Sequence, residues 1–103
     1  MTDFNELMRQ AQEVRDRLKR LQEELGERTV QGSAGGGMVV AVMNGRQELL
    51  SVRIEKEVVS PDDVGMLQDL VCAAVNDALS RSRELAAGEM GKITGGILPP
   101  GIL

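Results

Sequence analysis

Between Glu27 and Glu57 short runs that alternate or, at Met38–Met43, are continuously apolar are set apart by glycines, whereas on either side apolar residues recur every third or fourth. This change of period is what most narrows the folds open to the chain, because a period of two belongs to strands and one near 3.6 to helices. A helix, a block of short strands and a second helix must therefore share one hydrophobic core. With 103 residues the chain is long enough for one two-layer domain and too short for two.

The strand block is punctuated by glycine. Gly32-Ser33-Ala34-Gly35-Gly36-Gly37 precedes Met38-Val39-Val40-Ala41-Val42-Met43, and Asn44-Gly45 follows. A glycine-rich loop ahead of a helix can cradle a phosphate, but here the next segment is short and β-branched, and no Gly-Lys-Ser/Thr or G-x-G-x-x-G opens a helical pattern. The glycines are read instead as turns of a three-stranded antiparallel meander. Its strands are Glu27–Ala34, Met38–Met43 and Glu48–Glu57, the last with Leu50, Val52 and Ile54 inward and Ser51, Arg53 and Glu55 outward. Gly35-Gly36-Gly37 joins the first two strands. Asn44-Gly45 is expected to form a type I′ turn between the second and third.

Ahead of the block, Phe4, Leu7, Ala11, Val14, Leu18, Leu21 and Leu25 draw a stripe along a helix of about six turns. Asp3 is the expected N-cap with Glu6 three positions on, and Gly26 the expected left-handed residue at the other end. Glu13 with Arg17 and Asp16 with Arg20 have the spacing of weak ion pairs. The stripe is expected to pack on the chain's own sheet, and it has the heptad spacing that also suits a partner helix.

After the block, Ser60-Pro61-Asp62-Asp63 reads as a helix start with Ser60 as cap and Pro61 in the first position. Leu67, Leu70, Val71, Ala74, Val75, Ala78, Leu79, Leu85 and Ala86 carry this longer helix to Met90. Cys72, beside the stripe, is read as a small packing residue, buried or half-buried. From Gly91 the helix is expected to stop. The domain is accordingly bounded at residues 1–92, with an apolar Gly/Pro-rich tail over 93–103 expected to dock on its own domain or a neighbouring subunit.

Composition removes most chemistry. There is no histidine, tryptophan or tyrosine, and one cysteine. No side chain titrates near neutrality by default, and neither an intramolecular disulfide nor a multi-cysteine zinc site can form. No catalytic residue, metal site, cofactor or small-molecule substrate is expected. Without a leader-like N-terminus or an apolar run of about twenty residues, a cytoplasmic protein with no membrane partner is expected. A net charge of −4 opposes nucleic acid on its own, but it is unevenly spread. Arg9, Arg15, Arg17, Lys19 and Arg20 face Glu13 and Asp16 in one window, while Glu55, Glu57, Asp62, Asp63 and Asp69 face only Lys56 in another.

The chain resembles the YbaB/EbfC family of bacterial nucleoid-associated proteins over nearly its whole length. The residues that carry the resemblance are Val30-Gln31-Gly32-Ser33-Ala34-Gly35-Gly36-Gly37 with the following strand and Asn44-Gly45, then Met66-Leu67-Gln68-Asp69-Leu70 leading to Ala73-Ala74-Val75-Asn76-Asp77-Ala78, and Met90-Gly91-Lys92-Ile93-Thr94-Gly95-Gly96. One departure is Gly65, which weakens the start of the second helix and can leave a short separate turn after Pro61. The resemblance implies an α-β-β-β-α protomer of the α+β class, a homodimer with helices projecting like the arms of a tweezer, duplex DNA as ligand and a nucleoid location.

The basic positions that match are Arg9, Arg15, Arg17, Lys19 and Arg20 in the first helix and Arg81, Arg83 and Lys92 in the second. The dimer contact is placed on Leu7, Val14, Leu18 and Leu21 with Val40 and Val42 of the central strand. Binding would rest on phosphate neutralisation with modest sequence specificity, since neither a recognition-helix motif nor an aromatic stacking platform is visible. The alternative is an adaptor module of bacterial DNA metabolism that binds protein through the stripe and tail without touching DNA.

Overall fold

The computed structural model describes residues 3–94, in the order α1 (Phe4–Glu27), β1 (Thr29–Ala34), β2 (Val39–Asn44), β3 (Leu49–Ile54), a short 3-10 turn (Lys56–Val58) and α2 (Val64–Thr94). The architecture is the expected α-β-β-β-α, with a three-stranded antiparallel sheet of order β1-β2-β3. Its principal extents are 73 × 24 × 16 Å. The long axis reflects two helices of 24 and 31 residues, about 36 and 46 Å at 1.5 Å per residue.

The core lies between the sheet and α2. Val39, Ala41 and Met43 alternate onto one face of β2 and meet Ala74 and Ala78 of α2, with Val58 closing the side. Close approach depends on Gly32, which pairs with Ala41 across the ladder. A Cβ there would sit 2.1 Å from the Ala78 amide nitrogen and 2.5 Å from the Ala74 carbonyl oxygen. The small residues of α2 and the missing side chain of Gly32 thus let helix and strand backbones nearly touch. The turn between β1 and β2 is glycine's as expected, with φ of 64°, 68° and 93° at Gly35, Gly36 and Gly37.

The second hairpin differs from its expected form. Neither Asn44 nor Gly45 has positive φ; the left-handed residue is Gln47, at 65°. The Gln47 amide donates to Asn44 O at 3.2 Å, and the Asn44 amide donates to Glu48 O at 3.0 Å. This is a three-residue loop followed by a bulge rather than a type I′ turn. The Asn44 side chain holds it, Oδ1 accepting from the amides of Arg46 (2.9 Å) and Glu48 (3.0 Å). Buried Ser82 of α2 completes it by donating to Asn44 O at 2.7 Å and accepting from the Gln47 amide at 3.2 Å. The register shift pairs Met43 with Leu49 and Val42 with Ser51, so Leu50 has no partner across the ladder and is 55% exposed instead of inward. Ile54 is likewise exposed, and Val52 alone of the expected trio packs on the core.

The helix ends also differ from expectation. Gly26 is not a left-handed cap: α1 runs one residue past it, and the carbonyl of Leu25 is satisfied by the Gly45 amide at 2.8 Å and that of Arg28 at 3.4 Å. β1 consequently starts at Thr29 rather than Glu27. At the start of α2, Ser60 organises a separate turn, accepting from the Asp62 amide. Asp63 is the cap, its Oδ1 accepting from Met66 N at 3.1 Å. The short separate turn expected after Pro61 is thus present, over Pro61 and Asp62, and Gly65 lies within the first turn of α2. α2 does not stop at Gly91 but continues to Thr94. Glycine's poor propensity is outweighed there by packing, since this end lies against α1 at Leu21 and is tied to Arg28. The boundary expected at Lys92 therefore falls inside a helix, and the rest of the tail, 95–103, lies outside the described residues.

Cys72 is exposed, not buried, because it sits at the shoulder of the α2 stripe, away from the sheet. Nor does the α1 stripe pack on the sheet. Only Leu21 and Leu25 near its end are buried, while Phe4 (71%), Leu7 (55%) and Val14 (45%) are open.

Candidate nucleic-acid interface

The basic residues of α1 lie on both shoulders of its apolar stripe. At 3.6 residues per turn, Arg15 and Lys19 fall one turn apart on one side, and Arg17 and Arg20 on the other. The first pair shares a shallow surface with Gln12 and Asp16. The second lines a groove with Leu21 and Glu24 of α1 and Glu89, Lys92 and Ile93 of α2. The groove exists because α1 and α2 meet at their C-terminal ends, which brings residues more than sixty positions apart in sequence to one surface.

The eight expected DNA-contacting residues are not equally available. Arg9 is engaged on its own helix, bonding Glu6 and, at 2.7 Å, Glu13. These carboxylates, Glu6 foremost, raise the Arg9 guanidinium above its usual range. Because Glu13 turns back to Arg9, the expected Glu13–Arg17 pair does not form, and neither does Asp16–Arg20. Among the described residues Arg15, Arg17, Lys19 and Arg20 make no ion pair and are exposed. Arg81 lies 3.4 Å from Asp77, whose carboxylate accepts from the Ser33 amide at 3.0 Å. That amide first, then Arg81, holds Asp77 below the usual carboxylate range against some desolvation. Arg83 lies apart, beside Gln47, Ala86, Ala87 and Met90.

Lys92 reaches the groove by way of Glu89. The Glu89 Oε1 atom accepts from Arg28 Nη1 at 2.9 Å and from Lys92 Nζ at 3.1 Å. The two hydrogen bonds, Arg28's the larger, hold Glu89 below the ordinary carboxylate range. Arg28 has no place among the residues expected from sequence. Its link to Glu89 spans 61 positions, so no local spacing could signal it.

Of the residues expected at a dimer contact, Leu7 and Val14 are exposed, Leu18 and Val42 half-buried, and Leu21 and Val40 already covered within the protomer. Among the described residues no cluster of three or more His, Cys, Asp or Glu could hold a metal ion, and no helix is long and apolar enough to cross a membrane.

One block of acidic residues, around Asp62 and Asp63, occupies the other end of the molecule, whereas Glu24 and Glu89 line the groove itself. Asp62 and Asp63 stand at the start of α2 and Lys92 near its end, so the axial separation from Val64 to Lys92 is about 42 Å at 1.5 Å per residue. This far exceeds the Debye length of about 10 Å at 0.1 M salt. That distant block therefore does not oppose an anion at the groove, where Glu24 and Glu89 stand beside Arg17, Arg20 and Lys92.

The YbaB/EbfC DNA-binding family matches residues 1–97. A protein of Syntrophobacter fumaroxidans named nucleoid-associated protein is 57% identical over 95 residues, spanning 92% of this chain and 86% of its own. One of Moorella thermoacetica with the same name is 54% identical over 101 residues, spanning 98% and 97%. The crystal structure of the uncharacterized protein HP0035 from Helicobacter pylori superposes with a TM-score of 0.82, covering 92% of this chain and all of that one, at 23% identity. That likeness supports the fold.

Proposed function

The chain belongs to the YbaB/EbfC DNA-binding family, and from that premise we propose that it is a nucleoid-associated homodimer that grips duplex DNA mainly by its phosphates. The observation that carries this reading is a set of exposed cations that no carboxylate among the described residues engages. Arg15, Arg17, Lys19 and Arg20 stand unpaired on a helix that projects from the core, and Asp62 and Asp63 lie beyond electrostatic reach at the far end of α2. Phosphate contacts from such side chains fix position and affinity without reading bases, which gives modest sequence preference. The names of the relatives support a nucleoid location.

A second copy is supported by the apolar surface the protomer leaves open. Phe4, Leu7, Met8 and Val14 on α1 and Leu49 and Leu50 on the edge strand β3 are all at least 44% exposed, more than a lone domain of this size needs to display. Pairing two protomers would cover such surface and double the number of phosphates engaged. The test is fluorescence anisotropy of two unrelated duplexes over a salt series, with sedimentation at the same protein concentration. Comparable binding of both duplexes by a dimer, weakening steeply with salt, is expected. A folded dimer that binds neither would favour the adaptor reading instead.

A further inference from the structure

The Arg28–Glu89–Lys92 cluster stands out because one carboxylate oxygen, Glu89 Oε1, takes hydrogen bonds from cations of two different elements. The Glu89 side chain is only 22% exposed, whereas those of Arg28 and Lys92 are 52% and 74% exposed. The acid sits inward and its two partners face solvent. Arg17 and Arg20 line the same groove without ion pairs, and Glu24 is the groove's other acid. Two cations thus hold one inward carboxylate where α1 and α2 meet, and two more line the groove with it. This is an anion site already holding an anion that belongs to the protein.

We propose that this groove is a phosphodiester-binding site filled by Glu89 in the free protein, and that a DNA phosphate displaces the Glu89 carboxylate from Arg28 and Lys92, beside Arg17 and Arg20. The proposal rests on the DNA-binding reading above and adds the place and the competitor. A phosphodiester carries the same single charge as a carboxylate and matches the guanidinium fork equally well, and the displaced Glu89 carboxylate turns out to solvent, where a counter-ion meets its charge. Ion pairs this exposed are weak, which lets an external anion compete. Holding Glu89 between the two cations keeps Arg28 and Lys92 ordered and lowers the affinity for isolated anions. A duplex, which presents neighbouring phosphates to Arg17 and Arg20 at the same time, overcomes the competition.

The test compares the wild type with Glu89→Gln and Glu89→Ala in anisotropy titrations of a labelled duplex over a salt series. Asp69→Asn serves as a control that removes the same charge from α2 about 30 Å along the axis. The Glu89 variants should bind about two- to fivefold more tightly, the range one exposed ion pair is worth. Their slope of log K against log salt should stay near that of the wild type, because the same phosphates are neutralised once Glu89 has been displaced. The control should leave both quantities unchanged. Equal tightening by Asp69→Asn would show a general charge effect and overturn the site, as would a folded Glu89→Gln protein that binds no tighter than the wild type. Absence of binding by the wild type in the same titration would instead bring down the DNA reading itself, and this inference with it.

Discussion

Gly32 of β1 and Ala78 of α2 approach so closely that a Cβ on the glycine would lie 2.1 Å from the alanine's backbone nitrogen. The contact is between backbones, with Ala74 O a further 2.5 Å neighbour, so no side-chain rotation can make room. It fixes the distance of α2 from the sheet and therefore the line along which α2 carries Glu89 and Lys92 toward α1.

Gly32→Ala should accordingly force α2 away from β1 and cost about 1–3 kcal/mol or more, the range for overpacking a filled core. The shift of the urea-unfolding midpoint reads this directly. An unchanged midpoint would mean that the helix rides further from the sheet than described.

Ser82 should matter out of proportion to its size. Its hydroxyl is buried and joins the hairpin loop to α2 through Asn44 O and the Gln47 amide. Ser82→Ala removes both bonds and leaves the buried Asn44 carbonyl with only the Gln47 amide as donor, a loss of about 1–3 kcal/mol. Thermal unfolding measures it, and amide exchange at Gln47 should quicken in the same variant.

The sequence displayed the element order, the glycine turn after β1 and the apolar faces of β2 and α2, because each is set by a local period or by a residue's own backbone preference. It concealed what depends on distant partners. Gly26 looked like a helix end because glycine favours left-handed φ, yet the carbonyl it might have served is met by Gly45 from another hairpin. Gly91 looked like a stop, yet packing against α1 carries α2 past it to Thr94. The basic cluster of α1 was plain from its composition, whereas Arg28 joins the site only through a carboxylate 61 positions away. Leu50 followed a clean alternation that a single bulge at Val42/Met43 undoes.

Acid should weaken the β1–α2 contact through Asp77. Its folded carboxyl lies below the usual range because the Ser33 amide and Arg81 favour the charged form. A depressed folded value means that the stabilisation is fully present above the unfolded value, near 3.9, and is lost as pH falls through the lower folded one. Stability measured by denaturant midpoint should therefore decline below about pH 4, and the decline should be shallower in Asp77→Asn. Equal acid dependence in the two proteins would show that Asp77 does not contribute.

The central claim is that the unpaired cations of α1 bind the phosphates of duplex DNA, and it is tested most directly by reversing Arg17 and Arg20 to glutamate and measuring affinity for two unrelated duplexes by anisotropy over a salt series. The account predicts that both duplexes lose affinity to a similar degree. It also predicts a slope of log K against log salt shallower by about 0.9 for each phosphate no longer neutralised, whereas Arg53→Glu on the sheet has a smaller effect. A Arg17→Glu/Arg20→Glu protein that keeps its fold and assembly and binds both duplexes as tightly as the wild type would contradict it.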